Sequence, residues 1–130
     1  MMMRVLGIDY GTKKVGIAWS DELGRLAFPR KILKNDKKLI SFIDEICKKE
    51  KVEKIVLGAS YNEKGEDNVV MEKILNFQNI LKKQIRLQII LEKEFFTSIE
   101  ARRYQKDKIE VDDSSAALIL QRYLDKKNLK

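Results

Sequence analysis

Two apolar runs joined by a short basic turn constrain this chain more than any other feature. Val5-Leu6-Gly7-Ile8-Asp9 is followed by Tyr10-Gly11-Thr12-Lys13-Lys14, and then by Val15-Gly16-Ile17-Ala18. The pattern predicts two strands of a hairpin with Gly11 in the turn. Apolar residues flank Asp9 on both sides. A carboxylate at the end of such a strand is costly to bury unless it is paired, hydrogen-bonded or bound to a cation. Lys13 and Lys14 bring positive charge within a few residues of it. An acid beside a basic hairpin suits metal-assisted chemistry on a phosphate.

The first half of the chain reads as strands over Arg4–Tyr10, Val15–Ser20 and Leu26–Leu33. Pro29 argues that the last of these is an edge strand. Asp36–Glu50 has the period of a helix, with Leu39, Ile40, Ile43, Ile46 and Cys47 on one stripe and Asn35 or Asp36 as N-cap. A short strand over Lys54–Leu57 ends at Gly58, and Ala59–Asp67 reads as a polar loop. A second amphipathic helix buries Val70, Ile74, Phe77 and Leu81, and Arg86–Glu92 is a fifth strand. Ile99–Tyr104 reads as a short helix, and Asp113–Lys126 as the last one, with Ala116, Ala117, Leu120, Tyr123 and Leu124 facing inward. This order predicts an α/β fold with a mixed five-stranded sheet, strand 2 antiparallel to the rest, flanked by helices. At 130 residues the chain is expected to form one domain, residues 1–130.

Composition narrows the chemistry. The chain has no histidine, which rules out Ser-His and Cys-His nucleophile systems, His-ligated zinc and any nuclease with a His general base. Carboxylates, hydroxyls, Lys and Arg remain, and hard oxygen ligands suit Mg²⁺ or Mn²⁺. A formal net charge of +7 favours a polyanionic partner, nucleic acid first, although a solvated lysine-rich surface gives the same balance. The single cysteine, Cys47, lies on the apolar stripe of a helix and reads as a core thiol in a reducing cytoplasm. Arg4, Asp9 and Gly11 interrupt any secretory signal, and no apolar window is long enough to span a bilayer, so no membrane association is expected.

Asp9, Glu92, Glu94, Asp112 and Asp113 are acids at the ends of apolar segments. From the local pattern alone, Asp113 before Ser114-Ser115 reads first as a helix N-cap, and Glu92 and Glu94 read as solvated strand-end acids of one parity. Asp9 and Glu94 would both lie at carboxyl ends of parallel strands, where α/β sheets collect their sites.

Three segments resemble one family. Gly7-Ile8-Asp9-Tyr10-Gly11-Thr12-Lys13-Lys14-Val15-Gly16-Ile17-Ala18 resembles the opening motif of the YqgF family, also called RuvX. Glu94-Phe95-Phe96-Thr97-Ser98-Ile99-Glu100-Ala101 is similar to its acid–Thr/Ser–Ala motif, and Asp113–Leu124 to its closing helix. The resemblance covers nearly the whole chain in the family's order. It implies an RNase H-like fold and a metal-dependent nuclease that processes the 5′ end of pre-16S ribosomal RNA during ribosome biogenesis. Asp9, Glu94 and Asp113 would be the catalytic acids and the ligands of Mg²⁺ or Mn²⁺. Thr12, Lys13, Lys14, Asn62 and Arg103 are the candidate nucleic-acid-binding residues, and Asp112 is a candidate fourth acid by adjacency. The expected partners are pre-rRNA or branched DNA, bound by a cytoplasmic monomer or homodimer. The chain departs from the pattern at Phe95, where the family has Arg, at Lys93, where it has Asp, and at Gly58-Ala59-Ser60, where it has Gly-x-Pro. The Phe95 departure removes a phosphate contact.

Other readings are a Holliday junction resolvase-type endonuclease and a non-catalytic RNA-binding factor of ribosome maturation. Gly7–Thr12 is also similar to the first phosphate loop of the actin, Hsp70 and sugar-kinase ATPases. Those folds enclose ATP between two lobes, and a chain of 130 residues supplies one.

Overall fold

The computed structural model describes residues 4–61, 69–95 and 113–128. Five strands, β1 (Arg4–Tyr10), β2 (Lys14–Ser20), β3 (Ala27–Lys34), β4 (Val52–Tyr61) and β5 (Gln88–Phe95), form one sheet in the order β3-β2-β1-β4-β5. The described helices are α1 (Leu39–Lys49), α2 (Val69–Gln84) and α3 (Asp113–Asn128). β2 is antiparallel to both β1 and β3, whereas β1, β4 and β5 run parallel. The expected mixed sheet with an inverted second strand is therefore present. The carboxyl ends of β1, β4 and β5 lie along one rim.

Alternation along β1 divides the core in two. Leu6 and Ile8 project to one face, where they join Ile43, Ile46, Ile55, Leu57, Phe77 and Leu81 beneath α1 and α2. Val5 projects to the other and packs with Ala18, Val56, Ala116, Ile119, Leu120 and Leu124 beneath α3. β3 is an edge strand, as Pro29 predicts, and a register shift opposite Ile17 and Ala18 leaves Arg30 as the extra residue. Its guanidinium lies 4.9 Å from the ring centre of Trp19 and 5.1 Å from that of Phe28.

Several boundaries differ from the sequence expectation. α1 begins at Leu39 rather than Asp36, and neither Asn35 nor Asp36 is its N-cap; Lys38 holds that position with no side-chain cap. Asn35 instead donates from Nδ2 to the Gly11 carbonyl at 2.8 Å, and Asp36 Oδ1 accepts the Lys38 N–H at 2.9 Å. Both side chains thus stabilise the turn before the helix. β4 extends well beyond Lys54–Leu57, because Lys93–Phe95 of β5 pair with Ala59–Tyr61. β5 accordingly starts and ends later than Arg86–Glu92, while the Ile99–Tyr104 helix falls outside the described residues. In α3, Ile119 is buried, whereas Ala117 and Tyr123 are only partly so.

Cys47 is buried at 5% exposure. Desolvation, with a smaller contribution from Asp44, pushes its thiol up from 9.0 to about 12. Because the folded value lies above the unfolded one, this group's contribution to stability is complete below about pH 9 and declines as pH rises toward 12. A thiol-specific chromogenic reagent at pH 8 is expected to leave Cys47 unmodified in the native protein and to titrate one thiol in denaturant. Rapid native labelling would contradict the buried thiol.

Candidate active site

The site is built where α3 crosses β1. Gly7 is the point of closest approach: a β-carbon there would lie 2.7 Å from Leu120 Cβ and 2.9 Å from the Ala116 carbonyl oxygen. A glycine inside an apolar strand marks such an approach, and here it lets the helix lie on the sheet. The direction of α3 follows from its anchors. Gln121 accepts the Ala27 N–H at 2.8 Å and donates to the Arg25 carbonyl at 3.0 Å, and Asn128 donates to the Gly24 carbonyl at 3.2 Å. Gly24, at φ 67°, turns the β2–β3 connection, beside the amino end of β1. Desolvation, then the neighbouring Lys54 near the start of β4, holds the Lys127 ammonium below the usual lysine range. The carboxyl end of α3 therefore covers the amino ends of the strands, and its first turn lies toward their carboxyl rim.

Asp9 lies at that rim. It is the penultimate residue of β1, is 7% exposed, and shares its strand parity with Val5 and Gly7 on the α3 face. It is two residues, about 6.6 Å, beyond Gly7 along the strand. Asp113, the first residue of α3, is three residues, about 4.5 Å, before Ala116 along the helix. Both displacements run in the same direction from the Gly7–Ala116 contact. Glu94 is the penultimate residue of β5 and pairs in register with Ser60 of β4. The backbone thus brings all three positions to one rim of the sheet, with Asp9 on the central strand. Of the three side chains, only that of Asp9 is among those described.

The hairpin residues are positioned by β3. Lys14 pairs with Lys34, and the Asn35 N–H donates to the Lys13 carbonyl at 2.9 Å. Thr12, Lys13 and Lys14 are exposed at the end of the hairpin that carries Asp9. Asn62, Arg103 and Asp112 fall outside the described residues.

Glu92, expected as a solvated strand-end acid, is instead buried. It is 5% exposed on β5, and its Oε2 accepts a hydrogen bond from Lys126 Nζ of α3 at 2.6 Å. The ion pair joins β5 to α3 and commits this buried carboxylate to an exposed lysine of the same chain. Its signal was faint: the parity shared with Glu94 gives no hint that one acid faces a lysine on a distant helix.

A sequence profile of the RuvX family, described as Holliday junction resolvase, matches residues 3–126. The chain belongs to the RuvX family. A RuvX relative from Clostridium tetani, named "Putative pre-16S rRNA nuclease", is 39% identical over 137 residues, with 95% of this chain and 96% of that one covered. A protein of the same name from Sulfurihydrogenibium is 38% identical over 133 residues, covering 96% and 92%. Among solved structures, Thermus thermophilus RuvC in complex with a Holliday junction substrate superposes with a TM-score of 0.57 at 10% identity, over 96% of this chain and 95% of that one. The fowlpox virus resolvase with Holliday junction DNA gives 0.57 at 14% identity, over 98% and 100%. At such identities the likeness is one of fold, and the fold of this RuvX chain is RNase H-like. RuvX proteins are nucleases, hydrolases of phosphodiester bonds, and this chain is one of them. Among the described residues, no helix is long and apolar enough to cross a membrane.

Proposed function

We propose that residues 1–130 form one nuclease domain that cleaves phosphodiester bonds with the help of a divalent cation, in 5′-end processing of pre-16S rRNA. The observation that carries the reading is Asp9, a carboxylate 7% exposed at the carboxyl rim of the sheet. The register of β5 and the first turn of α3 bring two more acids to that rim. The donor set fits a hard cation, since a chain without histidine offers oxygen ligands. Asp9, Glu94 and Asp113 would hold Mg²⁺ or Mn²⁺. When bound, the ion supplies an activated water and neutralises charge on the phosphate. The chain's own contribution is positional. β1 fixes Asp9 within a packed strand, and α3, seated on Gly7, sets the height of Asp113 above the sheet. Thr12, Lys13 and Lys14 lie beside the rim and meet phosphates flanking the scissile one. Hydrolysis adds water to phosphorus and releases the 3′ oxygen of the preceding nucleotide, whose proton comes from solvent.

A second reading, cleavage of branched DNA, is favoured by the profile's description and calls for a parallel substrate. Labelled RNA carrying the 16S 5′ leader and a four-way DNA junction are incubated with Mg²⁺ or Mn²⁺. Cleavage of the leader supports the rRNA reading, and preferential cutting of the junction supports the second. No product from either, with RNA still bound, supports a non-catalytic binding factor instead.

Binding by the hairpin carries its own expectation. Each phosphate neutralised contributes about 0.7 to the slope of log K against log salt on a single strand. A Lys13→Ala, Lys14→Ala variant is expected to bind all sequences more weakly, with a slope shallower by roughly 1.4 if both lysines meet phosphate. An unchanged slope removes the hairpin from the binding surface.

A further inference from the structure

A cavity of about 380 Å³ opens at the same rim of the sheet, on the face opposite Asp9. Tyr10 follows Asp9 directly in β1, so strand alternation sends the two side chains to opposite faces. The Tyr10 ring packs against Phe77 of α2, with centroids 4.6 Å apart and planes inclined at 38°. Leu39, Ile40 and Ile80 extend this apolar lining, and Lys37 and Lys73, both exposed, line it as well. Asn35 and Asn76 supply amides that can read a hydrogen-bonding edge. Asp36, the acid in the lining, has Oδ1 engaged with the Lys38 N–H at 2.9 Å.

We infer that this cavity is a subsite for an unpaired nucleobase of the single-stranded nucleic acid whose neighbouring phosphate lies at Asp9. The inference rests on the nuclease reading and adds a substrate requirement, a base free to leave its stack. Single-stranded RNA is recognised by splaying bases onto aromatic rings and bonding their edges. Tyr10, half-buried with Phe77 behind it, is such a platform. Its wall is fastened to the basic hairpin by the Asn35–Gly11 hydrogen bond of 2.8 Å, so hairpin and cavity form one continuous surface over the rim. Charge complementarity favours this occupant over an apolar peptide. The two lysines suit the backbone phosphate on the far side of the inserted base from Asp9, and the chain carries a net +7. A base inside a duplex cannot enter, so the subsite favours single strands or frayed ends.

The test uses the intact protein in EDTA, which prevents cutting, and single-stranded decamer RNAs with 2-aminopurine scanned through every position. Anisotropy of an end label reports binding, and 2-aminopurine emission reports stacking. With wild type, emission is expected to fall on binding at one or two adjacent positions. Lys37→Glu, Lys73→Glu, at exposed sites, should weaken the single strand about tenfold or more and blunt duplex binding far less. Tyr10→Leu should remove the emission change, and Tyr10→Phe should retain it. Binding with no emission change at any position, or equal loss for duplex and single strand in the lysine variant, overturns the subsite and leaves the nuclease reading standing. Absence of any RNA binding overturns both.

Discussion

Asp9→Asn is expected to lose metal-dependent cleavage by about a thousandfold or more, equivalent to ~4 kcal/mol of barrier, while folding and nucleic-acid binding persist. The amide has nearly the shape of the carboxylate, so the packing of a residue 7% exposed beside Gly7 is retained. What it loses is the negative charge that, under the proposed mechanism, would hold a divalent cation. If Asp9, Glu94 and Asp113 share one site as proposed, their charges oppose one another in the metal-free protein, and removing one relieves that repulsion. The melting temperature is therefore expected to equal or exceed that of the unaltered protein, measured in EDTA. The phosphate contacts proposed for Lys13 and Lys14 would be untouched, so affinity for RNA in EDTA should stay within a few-fold. Full activity in Asp9→Asn would remove Asp9 from the mechanism. A large fall in melting temperature would mean that its role is structural.

Gly7→Val is expected to produce the other large effect, through packing. Even the first carbon of a side chain at this position would meet Leu120 Cβ at 2.7 Å and a backbone oxygen of α3 at 2.9 Å. A backbone oxygen cannot rotate away, so the helix must lift or slide. Overpacking of a well-filled contact costs typically 1–3 kcal/mol. For a chain of this size that is a fall in melting temperature of roughly 3–10 °C. The displacement also moves Asp113 relative to Asp9, so cleavage should fall more steeply than the folded fraction at the assay temperature. Gly7→Ala is expected to show the same pattern at smaller amplitude. Unchanged stability in both variants would contradict the close seating of α3 on β1.

How much could be read from the residues depended on whether local pattern or long-range pairing decided the outcome. Arg4–Tyr10 and the basic turn were legible because apolar alternation and Gly11 act locally, and the edge position of β3 followed from Pro29. The start of α1 was misread because Asn35 and Asp36 are both good caps. Asn35 is held instead by the Gly11 carbonyl, twenty-four residues away in sequence. The extents of β4 and β5 were underestimated because their outer residues, Ala59-Ser60-Tyr61 and Lys93-Glu94-Phe95, do not continue the apolar run. They are strand only by virtue of pairing with each other, Ser60 with Glu94 and Tyr61 with Phe95. At the rim, Asp9 was visible as an acid in an apolar setting, whereas the Glu92–Lys126 pair was not, since it joins elements that only folding brings together. Asn62 and Arg103 fall outside the described residues. The cavity beside Tyr10 left no motif, because its walls come from β1, the turn before α1, the start of α1, and α2.

The measurement that tests the shared-cation account most directly is Mn²⁺ binding by electron paramagnetic resonance, made on the unaltered protein and on Asp9→Asn, Glu94→Gln and Asp113→Asn. Each variant is first shown to be folded by its melting curve. Each of the three substitutions is expected to weaken Mn²⁺ binding at least about tenfold, the loss caused by removing even an outer-shell partner of a metal ligand, and cleavage is expected to fall in step. Mn²⁺ affinity unaffected by all three, with cleavage intact, would contradict it.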